Sequence, residues 1–216
     1  MMTVMNGKLK YTLGFYSLLF LLACNPLDYK DKTVGEVDFS KFHELLLSAE
    51  SDSQIRKVDS FIFKVIQDSS IDRKIPQVWA EDGYGVKVNL SLLTNKAGLM
   101  VITSPYANWN SIDLAREVPE SINVIEGEKR VICLLLNEKA PRGVEVPPDF
   151  YKVQLEQLSE LFPNTYLIRQ SEAKKLNLYS LPSRYYFDEK GVLRHISHTA
   201  LSYNKLKSEI KQNLTN

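Results

Sequence analysis

Apolar residues change their spacing along this chain, and each spacing predicts a different element. Between residues 39 and 65 they recur every three or four positions, which is the period of an amphipathic helix. A polar break at residues 51–53 (Ser-Asp-Ser) divides this region and supplies candidate N-cap residues. The pattern therefore predicts two helices whose apolar faces pack on the rest of the chain or on a partner. The positions that carry it are Phe39, Phe42, Leu46 and Ala49, then Ile55, Val58, Ile62 and Val65.

From residue 75 onward, short apolar runs alternate with helical spacing. Alternation on both sides of Asp82-Gly83 predicts a β-hairpin, and the runs 99–102 and 131–136 are typical of buried strands. Strands that alternate with helices predict an α/β sheet covered on both faces, and a final hairpin makes that sheet mixed. The other predicted elements are helices over 109–118, 151–162, 172–176 and 203–214, a strand over 165–169, and a hairpin over 184–187 and 192–196.

An apolar run at residues 13–23 lies between Lys8 and Lys10 on one side and Cys24 on the other. It is too short to span a membrane and has the layout of a secretory signal. The residues Leu21-Leu22-Ala23-Cys24 resemble the lipobox of bacterial lipoproteins, in which the cysteine is lipidated and becomes the first residue of the mature chain. This resemblance implies a signal peptide over 1–23, a polar tether over 24–37, and a lipid on Cys24 that anchors the protein to a membrane of the cell envelope, facing the periplasm or the outside. An ordinary secretory signal is the alternative.

Composition narrows the possible functions. Apolar residues make up 44% of the chain, which is enough for a normal core. The formal net charge is +1, and acidic and basic residues are well mixed along the sequence. The sequence therefore shows no cluster of basic residues of the kind that binds nucleic acid. The two cysteines are Cys24 and Cys133. With Cys24 lipidated, the chain has neither an internal disulfide nor a dithiol.

Five short segments, in order, resemble a thioredoxin-like domain of the membrane-anchored thiol-disulfide oxidoreductase type. They are residues 85–93, the strand and loop 99–106, Glu117-Val118-Pro119, the loop Leu181-Pro182-Ser183, and the strand and turn 187–192. The resemblance covers residues 76–214 and implies a thioredoxin-like mixed central sheet, preceded by a helical extension over 38–72.

This chain lacks the catalytic motif of the domains that it resembles. Redox-active members carry Cys-x-x-Cys at the start of the first helix, where the helix dipole lowers the thiol pKa. The matching window here, residues 106–114, has no cysteine, and the two positions fall near Ser111 and Leu114. A serine hydroxyl cannot cycle through a disulfide. We therefore expect no dithiol oxidoreductase activity. Cys133 lies inside a predicted buried strand, where a cysteine usually acts as a small hydrophobe.

No other arrangement in the sequence predicts an enzyme. His195 and His198, with His43 or Asp188, are candidate metal ligands by residue type, but residues three apart on a strand point to opposite faces. A nucleophilic Ser111 served by either of those histidines has no support in the sequence. We expect no catalytic residues, no metal and no cofactor.

Binding is the function that the resemblance leaves open. A cis Pro182, as in the related loops, implies that the main chain of Leu181 faces outward, where these proteins pair with an extended peptide. The sequence thus predicts a redox-inactive binding module for a protein or peptide partner. The alternatives are a thiol-dependent accessory that uses Cys133 in a mixed disulfide, and a structural envelope lipoprotein. The predicted contact residues are Tyr106, Trp109, Ser111, Leu181, Pro182 and Ser183.

Overall fold

A seven-stranded mixed sheet forms the centre of the protein, in the strand order β2-β1-β5-β4-β3-β6-β7. The computed structural model describes residues 37–106, 118, 130–142, 145–198 and 201–214. Its strands are β1 (Trp79–Glu81), β2 (Lys87–Asn89), β3 (Gly98–Thr103), β4 (Arg130–Asn137), β5 (Thr165–Arg169), β6 (Ser183–Phe187) and β7 (Leu193–Ser197).

The three central strands β3, β4 and β5 run parallel, the flanking strands β1 and β6 run antiparallel to them, and the outermost strands β2 and β7 reverse direction again. β4 pairs in parallel with β3 and β5, whereas β6 pairs antiparallel with β3, and β1 with β5. Ile102, near the end of β3, lies opposite Ser183, the first residue of β6. The segments that follow β3 and β4 therefore meet the segment that precedes β6 at one edge of the sheet. In open α/β sheets this edge, at the carboxyl ends of the strands, is where ligands bind.

One face of the sheet carries a continuous apolar core. Two helices pack on it, α3 (Phe150–Ser159) and the C-terminal α5 (Tyr203–Leu214). The alternating residues of β3 and β4 point to the opposite face, where α4 (Gln170–Ala173) contacts β4 and β5. The core of the first face consists of Leu99, Val101, Val118, Cys133, Leu135, Leu155, Leu158, Phe162, Tyr186, Leu206, Ile210 and Leu214.

Two helices precede the sheet and pack against it. They are α1 (Ser40–Leu47) and α2 (Asp52–Ser70), and the side chain of Ser51 caps α2 by accepting from the Gln54 N–H. Phe42, Ile62 and Ile66 on these helices are buried. The chain then runs along the start of β7, where the Asp72 N–H donates to the carbonyl of Leu193 (2.8 Å).

The buried side chain of Asn177 ties the two helices to the loop that leads into β6. Its amide nitrogen donates to Ser69 Oγ (3.3 Å) and Ser70 Oγ (3.0 Å), and its oxygen accepts from the Val37 N–H (3.3 Å). The two preceding helices thus pack on another part of the same chain, through these hydrogen bonds and through their buried apolar residues.

The observed architecture confirms the mixed α/β sheet and the helical extension. The helix expected over 172–176 is instead the short α4 followed by a 3-10 turn, Lys174–Leu176. Of the helix expected over 109–118, only Val118 lies among the described residues, and it is helical. In the described part of the chain, no helix is both long enough and apolar enough to cross a membrane.

Candidate functional site

A polar cluster forms where β3 and β4 end side by side. Ser104 follows β3, and its hydroxyl donates a hydrogen bond to Oε1 of Glu138, the residue that follows β4. The same hydroxyl oxygen accepts from the Tyr106 N–H (3.0 Å), which closes a turn at residues 104–106. The cluster therefore holds this turn at the end of β3.

Tyr151 on α3 completes this cluster. Its hydroxyl donates to the carbonyl oxygen of Glu138 (2.5 Å), and the Glu138 N–H lies 3.2 Å from the same hydroxyl oxygen. Burial raises the pKa of Tyr151, so the phenol stays protonated at neutral pH and keeps its role as donor. The ring of Tyr106 stacks on Phe150 with the ring centroids 5.7 Å apart. At this edge of the sheet, hydrogen-bonded polar groups therefore lie next to a pair of stacked aromatic rings.

The loop before β6 lies at the same edge. The Leu181-Pro182 peptide bond is cis, as the resemblance implied. Ser183 is buried, and its hydroxyl donates to the carbonyl of Ser180 (2.5 Å), so that its side chain supports the loop from below. Leu181 itself is half-buried. Its main-chain N–H and C=O form no hydrogen bond with any described residue.

A groove of about 370 Å³ opens beside Leu181, and we call it the loop groove. It lies between the end of β4, α4, the loop before β6, and Phe39 at the start of α1. A cavity of this size lies within the range of small-ligand and side-chain pockets. Its lining consists of Phe39, Leu136, Glu138, Gln170, Ala173, Lys174, Leu178, Tyr179, Ser180 and Leu181.

Cys133 lies in the middle of β4, away from the surface. Its side chain is fully buried, and burial raises the pKa of the thiol to about 12. A thiol that stays protonated at neutral pH is a poor nucleophile, because the thiolate is the reactive form. The position of Cys133 fits the interpretation of a small hydrophobe in the core.

The two histidines considered as metal ligands lie against different aromatic rings. His195 contacts Tyr186 and His198 contacts Phe63, with ring centroids 5.5 and 3.7 Å apart. Burial lowers the pKa of both imidazoles. Within the described ranges, no group of three His, Cys, Asp or Glu residues could hold a metal ion.

Four of the six predicted contact residues can be placed. Tyr106, Leu181, Pro182 and Ser183 all lie at the edge formed by the ends of β3 and β4, whereas Trp109 and Ser111 fall outside the described residues.

Sequence reasoning missed Glu138, Tyr151 and the groove residue Lys174. The signal for Glu138 was present in the sequence. It follows one parallel strand directly, as Ser104 follows the neighbouring one, and such positions meet at the carboxyl edge of a sheet.

Two solved structures with a similar fold are thiol-disulfide proteins. One is a thiol:disulfide interchange protein from Bacteroides sp., 12% identical with a TM-score of 0.52 over 68% of this chain and 91% of that chain. Another is the thioredoxin domain of a thiol-disulfide oxidoreductase from Bacteroides vulgatus, 13% identical with a TM-score of 0.51 over 67% of this chain and 98% of that chain. No family model matches the sequence, and no curated protein matches it.

At these identities the likeness establishes the fold alone. The chain has a thioredoxin-like fold, as its sequence predicted, and the edge described above is the one that follows the first central strand of that fold. What the chain does at this edge has to be argued from its own residues.

Proposed function

We propose that this chain is a membrane-anchored protein whose thioredoxin-like domain binds an extended segment of a protein partner and performs no thiol-disulfide exchange. The observation that carries the proposal is the main chain of Leu181 at the rim of the loop groove, whose N–H and C=O have no hydrogen-bond partner among the described residues. Backbone N–H and C=O groups are strong hydrogen-bonding groups that folded proteins almost always satisfy. An extended peptide satisfies them by pairing alongside, as an added strand does at a sheet edge.

The surroundings of Leu181 support this mode of binding. Ser183 and Ser180 hold the loop through a side-chain hydrogen bond, and Ser180 Oγ lies 3.4 Å from the carbonyl oxygen of His198. A loop held in this way loses little conformational freedom when a ligand pairs with it, which favours affinity. The groove beside it offers room for a side chain of the bound segment.

The positions of the cysteines support redox inactivity. Neither Cys24 nor Cys133 belongs to a Cys-x-x-Cys pair, and the window 106–114, which matches the motif position, contains no cysteine. Exchange through a disulfide requires a reactive thiolate and a partner thiol. Cys133 offers neither, because it is buried and its pKa is raised to about 12.

Membrane anchoring rests on the lipobox-like residues that end at Cys24. A lipid there would hold the domain at a membrane surface without a spanning helix. The segment 25–36 contains charged residues of both signs, which suits a hydrated tether between anchor and domain. The bound partner would then be a protein of the cell envelope.

A peptide selection tests the binding edge. The full chain, purified in mild detergent, is presented to a random dodecapeptide display library, and enriched peptides are measured by fluorescence anisotropy. Leu181→Pro removes the main-chain donor, so we expect affinity to fall by about tenfold or more, since each hydrogen bond contributes roughly 1 kcal/mol and register is also lost. Leu181→Ala, the matched control, keeps the donor and should lose less.

A second measurement shows whether a loss of affinity in Leu181→Pro comes from unfolding rather than from the missing donor. Urea unfolding midpoints establish whether Leu181→Pro remains folded. In the unmodified chain, hydrogen exchange of the Leu181 amide should slow when an enriched peptide binds, because the amide gains an acceptor. Unchanged exchange at Leu181, or equal peptide affinity in a folded Leu181→Pro variant, would contradict the proposal.

The alternative of a mixed disulfide through Cys133 predicts an accessible thiol. We expect a maleimide to leave Cys133 unlabelled in the folded chain and to label it fully in urea, with Cys24→Ser used so that one cysteine is counted. Labelling of the folded chain within minutes, at a rate independent of denaturant, would favour the redox accessory instead. A purely structural role is less favoured, because Phe42, Ile62 and Ile66 of the extension are buried within the domain rather than offered to an assembly.

A further inference from the structure

The loop groove has an apolar wall that two parts of the chain build together. Leu136, Ala173, Leu178 and Leu181 come from the sheet, α4 and the loop before β6. Phe39 comes from the helical extension, where its ring stacks on Tyr179 with the centroids 6.1 Å apart. A groove with such a wall favours a large apolar side chain, since burying one contributes roughly 1.5–3 kcal/mol.

The two charged side chains that line the groove, Glu138 and Lys174, differ in whether they already have a polar partner. Glu138 keeps its negative charge, but it is half-buried and its Oε1 already accepts from Ser104, whereas the Lys174 ammonium is exposed and has no ion pair with a described residue. The adjacent Lys175 differs in this respect, because Glu172 neutralises it at 2.7 Å. The Lys174 ammonium is complementary to a carboxylate.

We propose, on the basis of the function proposed above, that the groove selects an extended protein segment carrying a large apolar residue and an aspartate or glutamate two positions away. Side chains at i and i+2 of an extended chain point to the same side, about 6.6–6.8 Å apart. A segment whose main chain pairs with Leu181 directs one such pair of side chains toward the groove. The apolar side chain packs on Phe39 and the leucines, and the carboxylate lies at Lys174.

The test compares the peptides that different variants of the full chain enrich from the same display library. The unmodified chain should enrich an apolar-x-acidic pattern. Lys174→Glu should abolish the acidic preference and weaken the original peptides by about three- to tenfold, the range expected for a partly exposed charge pair. Lys205→Glu makes the same charge change on α5, away from the groove, and should leave the pattern unchanged.

Phe39→Ala tests the apolar half of the pattern. It should weaken peptides with phenylalanine or leucine by about tenfold and leave their acidic preference in place, while a urea unfolding curve confirms that α1 remains docked. Acidic peptides that bind the Lys174→Glu variant as tightly as the unmodified chain would overturn the inference.

The outcomes separate this inference from the proposed function. Peptides that depend on Leu181 but show no acidic preference would retain the binding function and overturn the groove specificity. No enriched peptide at all would overturn both. Decanoate, an apolar carboxylate without a peptide backbone, serves as a competitor. Saturable decanoate binding without peptide enrichment would assign the groove to a small ligand and contradict the inference.

Discussion

Leu181 and the strand β6, which begins two residues after it, differ in whether their polar groups have partners. In β6 all five residues are buried, and the side chains of Arg184 and Tyr186 have hydrogen-bond partners. In the loop just before it, the main-chain groups of Leu181 have no partner in the described part of the chain. The change occurs within three residues.

The partner of β6 is a carboxylate on the C-terminal helix. Arg184 donates from Nε to Glu209 Oε1 (2.8 Å) and from Nη2 to Ser197 Oγ (2.6 Å), and the Tyr186 hydroxyl donates to the same carboxylate (2.7 Å). Burial alone would raise the pKa of Glu209, but the hydrogen bond and the charge of Arg184 hold it below its usual range. The cluster fixes α5 on the sheet.

The comparison separates the groups that stabilise the fold from those that the proposed function would use. A buried ion pair is costly to break, so the cluster on β6 resists change. Under the proposed function, the main chain of Leu181, which has no partner among the described residues, is available to a ligand. The loop can offer that backbone because a rigid strand begins immediately after it.

Among the variants that test this comparison, the largest loss of stability should come from removing the carboxylate of Glu209. Glu209→Ala leaves the guanidinium of Arg184 buried without its counter-charge, which typically costs about 3–5 kcal/mol. We expect a loss of this size in the free energy of urea unfolding, and Glu189→Ala, at an exposed turn, should change it by less than about 0.5 kcal/mol. A loss below about 1 kcal/mol for Glu209→Ala would show that β6 does not depend on its cluster.

The pH dependence of the same variant sharpens the test. Because the pKa of Glu209 is lowered by folding, its contribution is complete above the unfolded carboxyl value of about 4.3 and is lost as the pH falls through the lowered value. The stability gap between the unmodified chain and Glu209→Ala should therefore narrow as the pH falls below 4. A smaller change is expected in weakly acidic solution, where His195, whose pKa the charge of Glu209 also affects, takes up a proton. A gap that widens below pH 4 would contradict the assignment.

A smaller effect is expected from the residue that precedes the loop. Asn177 has a left-handed backbone (φ 53°), and its buried side chain bonds Val37, Ser69 and Ser70. Glycine adopts the left-handed backbone at this position without strain, but Asn177→Gly removes these hydrogen bonds. We therefore expect the free energy of unfolding to fall by about 1–3 kcal/mol and proteolytic cleavage within α1 to occur earlier.

Asn177→Ala supplies the matched comparison. It removes the same bonds and adds the strain of a positive φ, so it should be about 1 kcal/mol less stable than Asn177→Gly. Equal stability of the two variants would indicate that the backbone at this position relaxes when the side chain is removed.

Much of the fold was accessible from the sequence because it depends on periodic burial. The spacing of Leu206, Ile210 and Leu214 predicted α5, and all three are buried. The apolar run 131–136 predicted the central strand that holds Cys133. Such patterns are local, and burial of one face is enough to specify them.

The candidate site was only partly accessible because its contacts are non-local. Arg184 lies in β6 and Glu209 on α5, and only the packing of the helix on the sheet brings them together. Phe39 belonged to a helical pattern, and nothing in that pattern placed it beside Leu181. Short-range spacing cannot specify which distant segments meet.

The hydrogen bond between Val37 and Asn177 also determines how the domain would respond to a pull from its N-terminal side. The load enters at Val37, and α1, α2 and the residues paired with β7 lie between that point and β1. Force applied at Val37 would therefore reach α1 and α2 before it reached β7 or the central strands. Phe39, at the start of α1, would be displaced early, and the loop groove would lose that part of its lining. Under the proposed function, tension from the N-terminal side would weaken the binding of an extended segment while the central strands stayed paired.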